Sequence, residues 1–101
     1  MQEVNVLSRS PELVIALSGE IDSKNADEFF GEVISAYGGS PYNLTFDCAA
    51  LEFIDSTTLG TFVKILKRVK TDGKNMKLVN MQPRIKKLFV ICALDTIMEI
   101  A

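Results

Sequence analysis

The sequence predicts an α/β fold in which a mixed β-sheet of four to five strands is packed by three to four α-helices, in a single domain spanning residues 1–101. Three observations carry this expectation. Two short strand-like runs near the start are separated by turn chemistry; after Gly19 the apolar spacing switches to that of an amphipathic helix; and strand-like and helix-like segments then alternate to the end. Alternation of that kind makes the later strands parallel, joined by helical crossovers.

Taken in order, Glu3 to Ser8 and Leu13 to Ser18 read as an antiparallel pair joined by Arg9-Ser10-Pro11-Glu12, a loop of hairpin length. Ala26, Phe29, Phe30, Val33, Ile34 and Tyr37 then fall on one stripe of a helix, with Asp22 or Ser23 as its cap and Gly38-Gly39-Ser40-Pro41 as its stop. Tyr42 to Cys48 is apolar and β-branched enough for a central third strand, and Ala49 to Ile54 reads as a connector. Beyond Asp55-Ser56-Thr57-Thr58, a second stripe of Leu59, Phe62, Val63, Leu66 and Val69 faces the sheet while Lys64, Lys67 and Lys70 face water, and Thr71-Asp72-Gly73 ends that helix. Met76 to Val79 supplies a fourth strand. A third helix opens at Pro83 and carries Ile85, Leu88, Phe89 and Cys92, and Thr96 to Ile100 adds a short edge strand.

Composition narrows the chemistry. There is no histidine, which removes Ser-His-Asp and Cys-His nucleophiles, imidazole metal sites and histidine phosphorelay together. Cys48 and Cys92 are too far apart for a redox or zinc motif and read as small buried hydrophobes. Nothing resembles a targeting segment or a membrane span, so the expected compartment is the cytoplasm. The net charge is -2, yet nine basic residues between Lys64 and Lys87 are interrupted only by Asp72. Without interleaved stacking aromatics this stretch reads as a solvated face and not as a nucleic-acid surface. Carboxylates and hydroxyls with no metal cluster or phosphate-cradling loop form no evident catalytic centre, and no cofactor is expected.

The informative segment is Phe53-Ile54-Asp55-Ser56-Thr57-Thr58-Leu59-Gly60, which places an acid and three hydroxyls where a loop enters a helix. Free backbone N–H groups and the positive end of the helix dipole favour negative charge there, so a phosphate on Ser56 would meet a supportive field. On local chemistry alone the favoured reading is Ser56 or Asp55 acting as an N-cap, which needs no function. A full capping box is missing, because Leu59 stands where a glutamate would reach back from Ser56.

Across nearly its whole length the sequence resembles the bacterial anti-sigma factor antagonists (anti-anti-sigma factors) of the STAS domain family, which carry a phosphorylatable serine in an Asp-Ser-Ser-Gly-Leu-Gly motif at a helix N-terminus. Gly19-Glu20-Ile21-Asp22 is similar to the family's turn after the second strand, Leu44-Thr45-Phe46-Asp47 to its third strand, and Pro83-Arg84-Ile85-Lys86-Lys87-Leu88-Phe89 to its last amphipathic helix. The resemblance implies a STAS-like sheet and a non-enzymatic partner switch in transcription regulation. In such a switch the unphosphorylated protein binds an anti-sigma factor with serine kinase activity and frees a sigma factor. That kinase phosphorylates Ser56, and a phosphatase restores it. The implied partner-binding residues are Gly19, Glu20, Asp22, Asp55, Ser56, Thr57 and Thr58, with no metal, membrane or direct nucleic-acid partner. Ser56 is the expected acceptor because it follows Asp55 at the helix start, whereas Thr57 and Thr58 begin to rotate toward the sheet or along the helix. Thr58 departs from the family's glycine and adds a branched side chain where glycine would allow close approach. That departure leaves room for another role, a non-switching STAS scaffold subunit of a stress-signalling or lipid-transport complex.

Overall fold

In a computed structural model, which describes residues 2–38 and 42–101, the chain runs β1 (Gln2–Ser8), β2 (Leu13–Ile21), α1 (Ala26–Tyr37), β3 (Leu44–Ile54), α2 (Ser56–Thr71), β4 (Met76–Val79), α3 (Pro83–Ile91), a 3₁₀ turn (Leu94–Thr96) and β5 (Glu99–Ile100). The strands lie in the order β1-β2-β3-β4-β5, with β1 antiparallel to β2 and every later neighbour parallel. Mixed topology, central β3 and a short last edge strand all agree with the sequence reading.

Register explains which residues form the core. Val6, Ile15, Phe46 and Leu78 stand side by side across four strands, and all but Val6 are fully buried. One residue further along, Asn5, Ala16, Asp47 and Val79 share the opposite face, and none of them is buried. The helices cover the first face only. Phe29 of α1, Phe46 of β3, Phe62 of α2 and Phe89 of α3 form one aromatic cluster, with ring centroids 5.4 Å apart for Phe29–Phe62 and 5.5 Å for both Phe46–Phe62 and Phe62–Phe89. Edge-to-face pairs of this kind add about 0.5–1.5 kcal/mol each beyond the area they bury. Parallel strands usually read as continuous apolar runs because both faces are covered; here one face is open, so β2 and the start of β4 alternate instead.

On α2, Leu59, Phe62, Leu66 and Val69 are buried, Val63 is partly buried, and Lys64, Lys67 and Lys70 are exposed, as the helical period requires. Ile65 and Thr61 widen the buried stripe beyond the residues the period singled out. Gly38 closes α1 in the left-handed conformation with φ 49°, its N–H bonded to the Ile34 carbonyl; Gly39, Ser40 and Pro41 lie outside the described residues. The same end of α1 is tied to α2 through Tyr37, whose hydroxyl donates to Asp72 Oδ2 at 2.9 Å. Burial and that bond push the phenol up to about 12.

Four expectations are corrected. β3 begins at Leu44 and continues to Ile54, so Ala49 to Ile54 is strand and not connector. Its pairing with β2 shifts register at Ala16/Ser18 and again at Gly19/Glu20, and such bulges erase the two-residue period that a strand assignment needs. The cap of α1 is Asn25, not Asp22 or Ser23, because residues 23–25 form a turn before the helix. On α3 only Ile85 and Phe89 are buried; Leu88 is exposed, since the helix meets the sheet border along a single narrow line. Cys92 follows the last turn of α3 and is exposed, whereas Cys48, inside β3, is buried as expected.

Candidate functional site

The parallel pairing of β2 with β3 sets Ile21 beside Ile54, so the next residue of each strand, Asp22 and Asp55, emerges at the same edge of the sheet. Crevices outside the carboxyl ends of parallel strands are where α/β sheets place their sites. Asp55 has extended backbone and caps α2: its Oδ1 accepts from the Thr58 N–H at 3.0 Å. Its other oxygen, Oδ2, accepts from the Ser23 N–H at 2.9 Å, tying the β2–α1 loop to the start of α2. Burial pushes the Asp55 carboxyl up, but the bonds from Thr58, Ser23 and Thr57 together hold it below its ordinary value. A carboxylate held in its ionised form at neutral pH therefore sits one residue before Ser56.

Thr58 is fully buried. The proton of its hydroxyl is shared between the Ile21 carbonyl and Asp55 Oδ1, with the carbonyl nearer. Although the resemblance counted it among the partner-binding residues, it is turned inward, as rotation toward the sheet anticipated, and serves as a second rivet between α2 and the end of β2. Close approach by a partner is not hindered by a side chain that never reaches the surface. Ser56 is the first residue of α2 and is exposed, and among the described residues nothing bonds its hydroxyl. Thr57 is exposed as well, so rotation along the helix removes Thr58 from the candidate acceptors but not Thr57.

The remaining sequence-derived residues sit as follows. Asp22 is half-buried and accepts from the Lys24 N–H at 2.9 Å. Glu20 is exposed and level with Phe53 across the β2–β3 pair. Gly19 has φ 82°, a backbone that favours glycine, and its register partner is Leu51, so its contribution is to shape the strand and not to touch Ser56.

Two features were not singled out from the sequence. Asn25 accepts from the Asp22 N–H at 2.8 Å and donates to the Glu20 carbonyl at 2.9 Å, which folds the β2–α1 loop into a fixed turn. The Asp-x-x-Asn spacing was its available signal. Phe53 is 48% exposed and lines a groove of about 280 Å³ with Ile54, Ile85, Leu88, Arg84 and Glu52, next to Ser56 along the chain. Arg84 braces that groove by donating to the Glu52 carbonyl at 2.7 Å. Among the described residues no cluster of three or more carboxylates or cysteines could hold a metal ion. Among the described residues no helix is long and apolar enough to cross a membrane.

Comparison with known proteins gives a consistent result. The STAS domain model matches residues 3–101. The anti-sigma-B factor antagonist of Bacillus subtilis (strain 168) is 31% identical over 98 residues, which span 97% of this chain and 89% of that protein. An anti-sigma factor antagonist from Mycobacterium paratuberculosis superposes with a TM-score of 0.87 at 21% identity, over 99% of this chain and 85% of the other, a likeness of fold. The antagonist SpoIIAA superposes in its unphosphorylated form with a TM-score of 0.72 at 19% identity, and in its phosphorylated Bacillus form with 0.71 at 22%. All of this chain is covered in both cases, with 87% and 91% of the respective chains.

Proposed function

Because the chain belongs to the STAS domain family, we propose that it is an anti-sigma factor antagonist whose unphosphorylated form captures an anti-sigma factor with serine kinase activity, releases a sigma factor, and is switched off by phosphorylation at Ser56. The observation that carries the reading is the Ser56 hydroxyl: exposed, unbonded among the described residues, and fixed at the first turn of a helix whose cap is tied to the neighbouring loop. A kinase needs a reachable hydroxyl on a rigid support, and this one meets both conditions.

The geometry also suggests how phosphate ends capture. A phosphoserine carries about 1.5 to 2 negative charges and three strong acceptor oxygens. At this helix start the Thr58 N–H is already bonded to Asp55, so the new group finds the dipole largely answered and a carboxylate beside it. Burying it under a partner would cost hydration without compensating bonds from α2. In this reading the protein is a binding partner and a kinase substrate with no catalytic role; it works in the cytoplasm, and a phosphatase resets it. The scaffold alternative is not favoured, since the relative that is 31% identical is an antagonist and Thr58, which had left that role open, is internal.

The test is incubation with kinase-type anti-sigma factors and ATP, followed by mapping of phosphate by mass spectrometry in wild type, Ser56→Ala and Thr57→Ala. Labelling lost in Ser56→Ala and kept in Thr57→Ala is the expected pattern. Full labelling of Ser56→Ala would move the acceptor to Thr57, the other exposed hydroxyl of the turn.

A further inference from the structure

The two edges of the sheet are built differently. β5 holds two residues, too few to template another strand, whereas β1 is seven residues long and pairs with a described strand on one side only. Long edges are usually blunted by lysine, proline or a bulge. Gln2–Ser8 contains neither lysine nor proline and has one charge, Glu3, and its irregularity falls late, between Val6 and Ser8. Val6 belongs to the core row with Ile15, Phe46 and Leu78, yet it is 38% exposed. Beside it, between β1 and α1, lies a groove of about 620 Å³, with Val4 on the strand side and Glu28, Glu32 and Ser35 on the helix side.

Charge is divided along this groove. α1 returns from the end of β2 to the start of β3, so it runs in the direction of β1. Glu28 therefore lies toward the Gln2 end, with Glu32 one turn further on. Loss of water, together with a hydrogen bond and repulsion from Glu28, pushes the Glu32 carboxyl up. Arg9 stands past the other end, where it donates to the Ala36 carbonyl at 3.1 Å, and among the described residues it makes no ion pair. Acids at one end and a cation at the other become self-complementary under a two-fold rotation that reverses the strand.

We propose that two copies of this chain associate through β1, strand antiparallel to strand about a two-fold axis near its middle, so that Arg9 of each copy meets Glu28 and Glu32 of the other. Such pairing satisfies the outer N–H and C=O groups of β1, brings the exposed Val6 side chains of the two copies together, and delivers a cation to two crowded carboxyls. The occupant is a second copy because one groove supplies both members of the ion pair. β2 stands between β1 and β3, whose end leads to Ser56, so the association goes beyond the proposed switch and leaves that turn open in both copies.

The experiment measures self-association by sedimentation equilibrium and native mass spectrometry in wild type, in Arg9→Glu, in the double variant Glu28→Lys/Glu32→Lys, and in an equimolar mixture of the two variants. All three substituted residues are exposed, and circular dichroism checks that each variant keeps the fold. Wild type should dimerise, and each variant alone should do so about tenfold more weakly or worse, because like charges then face each other twice in every dimer. Mixed, the variants should form a one-to-one heterodimer at close to wild-type affinity, since both contacts again join opposite charges. An ion pair made within one chain cannot be restored by mixing. In wild type alone, hydrogen exchange of the β1 amides should slow as protein concentration rises. A wild-type chain that stays monomeric up to about 1 mM overturns the proposal, as does a mixture that forms no heterodimer, or β1 exchange indifferent to concentration.

Discussion

At Asp55 a single carboxylate joins two loops, and its removal separates the roles of neighbouring hydroxyls. Asp55→Asn keeps shape but weakens the cap and the bond from Ser23, and should destabilise the fold by about 0.5–2 kcal/mol in urea unfolding at pH 7. Since the folded carboxyl titrates below its ordinary value of 3.8, its contribution is complete above that value and disappears as pH falls through the lower, folded one. The stability gap between wild type and Asp55→Asn should therefore narrow on acidification below about pH 4; a gap that stays constant would show that the charge contributes nothing. Ser56→Ala should be nearly silent in the same assay, because Asp55 and not Ser56 is the cap, while holding the protein in its partner-binding state. Thr58→Val, by contrast, removes a buried hydroxyl from the Ile21 carbonyl and should cost about 1–3 kcal/mol despite preserving volume. Sequence reasoning located Asp55 and Ser56 because cap chemistry is local. It turned Thr58 toward the sheet but did not find its bond, because the partner of that hydroxyl lies 37 residues away, at the end of another strand.

Elements differ in how much of them the sequence exposed. The register and end of α2 were legible, since its buried stripe is long, keeps one period and ends in a clear stop, although Thr61 and Ile65 were not foreseen in that stripe; Phe62, at the centre of the aromatic cluster, is the residue on which the register depends. Phe62→Ala should lose about 3–5 kcal/mol by calorimetry or denaturant titration, and a loss near zero would contradict its placement. The second half of β3 was illegible for a physical reason. Ala49 and Ala50 are exposed in succession, Leu51 is buried, and Glu52 and Phe53 are exposed again, a pattern that two register shifts against β2 create and that no single period describes. α3 misled in another way: its apolar residues are more numerous than its contacts, so Leu88, Val90 and Ile91 remain outside, Ile91 at 68% exposure. An apolar residue beside a sheet border has no guarantee of cover.

Across the whole molecule charge is divided by position in the chain. Ten of the thirteen acids lie at or before Asp55, and nine of the eleven basic residues at or after Lys64, so the edge bearing Glu20, Asp22 and Asp55 is acidic while the outer side of α2 is basic. Reversal at the acidic edge, as in Asp22→Lys, should slow association with an anti-sigma kinase at low salt and have less effect at high salt, measured by stopped flow. A rate indifferent to both would place the acidic edge outside the encounter.

The two cysteines make that scaffold easy to interrogate. Cys48 lies in the middle strand with its thiol pushed up to about 12 by burial and by the neighbouring Asp47, whereas Cys92 is exposed after α3. The thiolate is the form that attacks an alkylating reagent, so the native protein should take up one equivalent at Cys92 near neutral pH and a second only when the sheet opens. The rate of that second modification is a clock for global opening in a wild-type chain, readable by intact mass, and a maleimide dye at Cys92 becomes a reporter of complex formation that leaves α2 untouched.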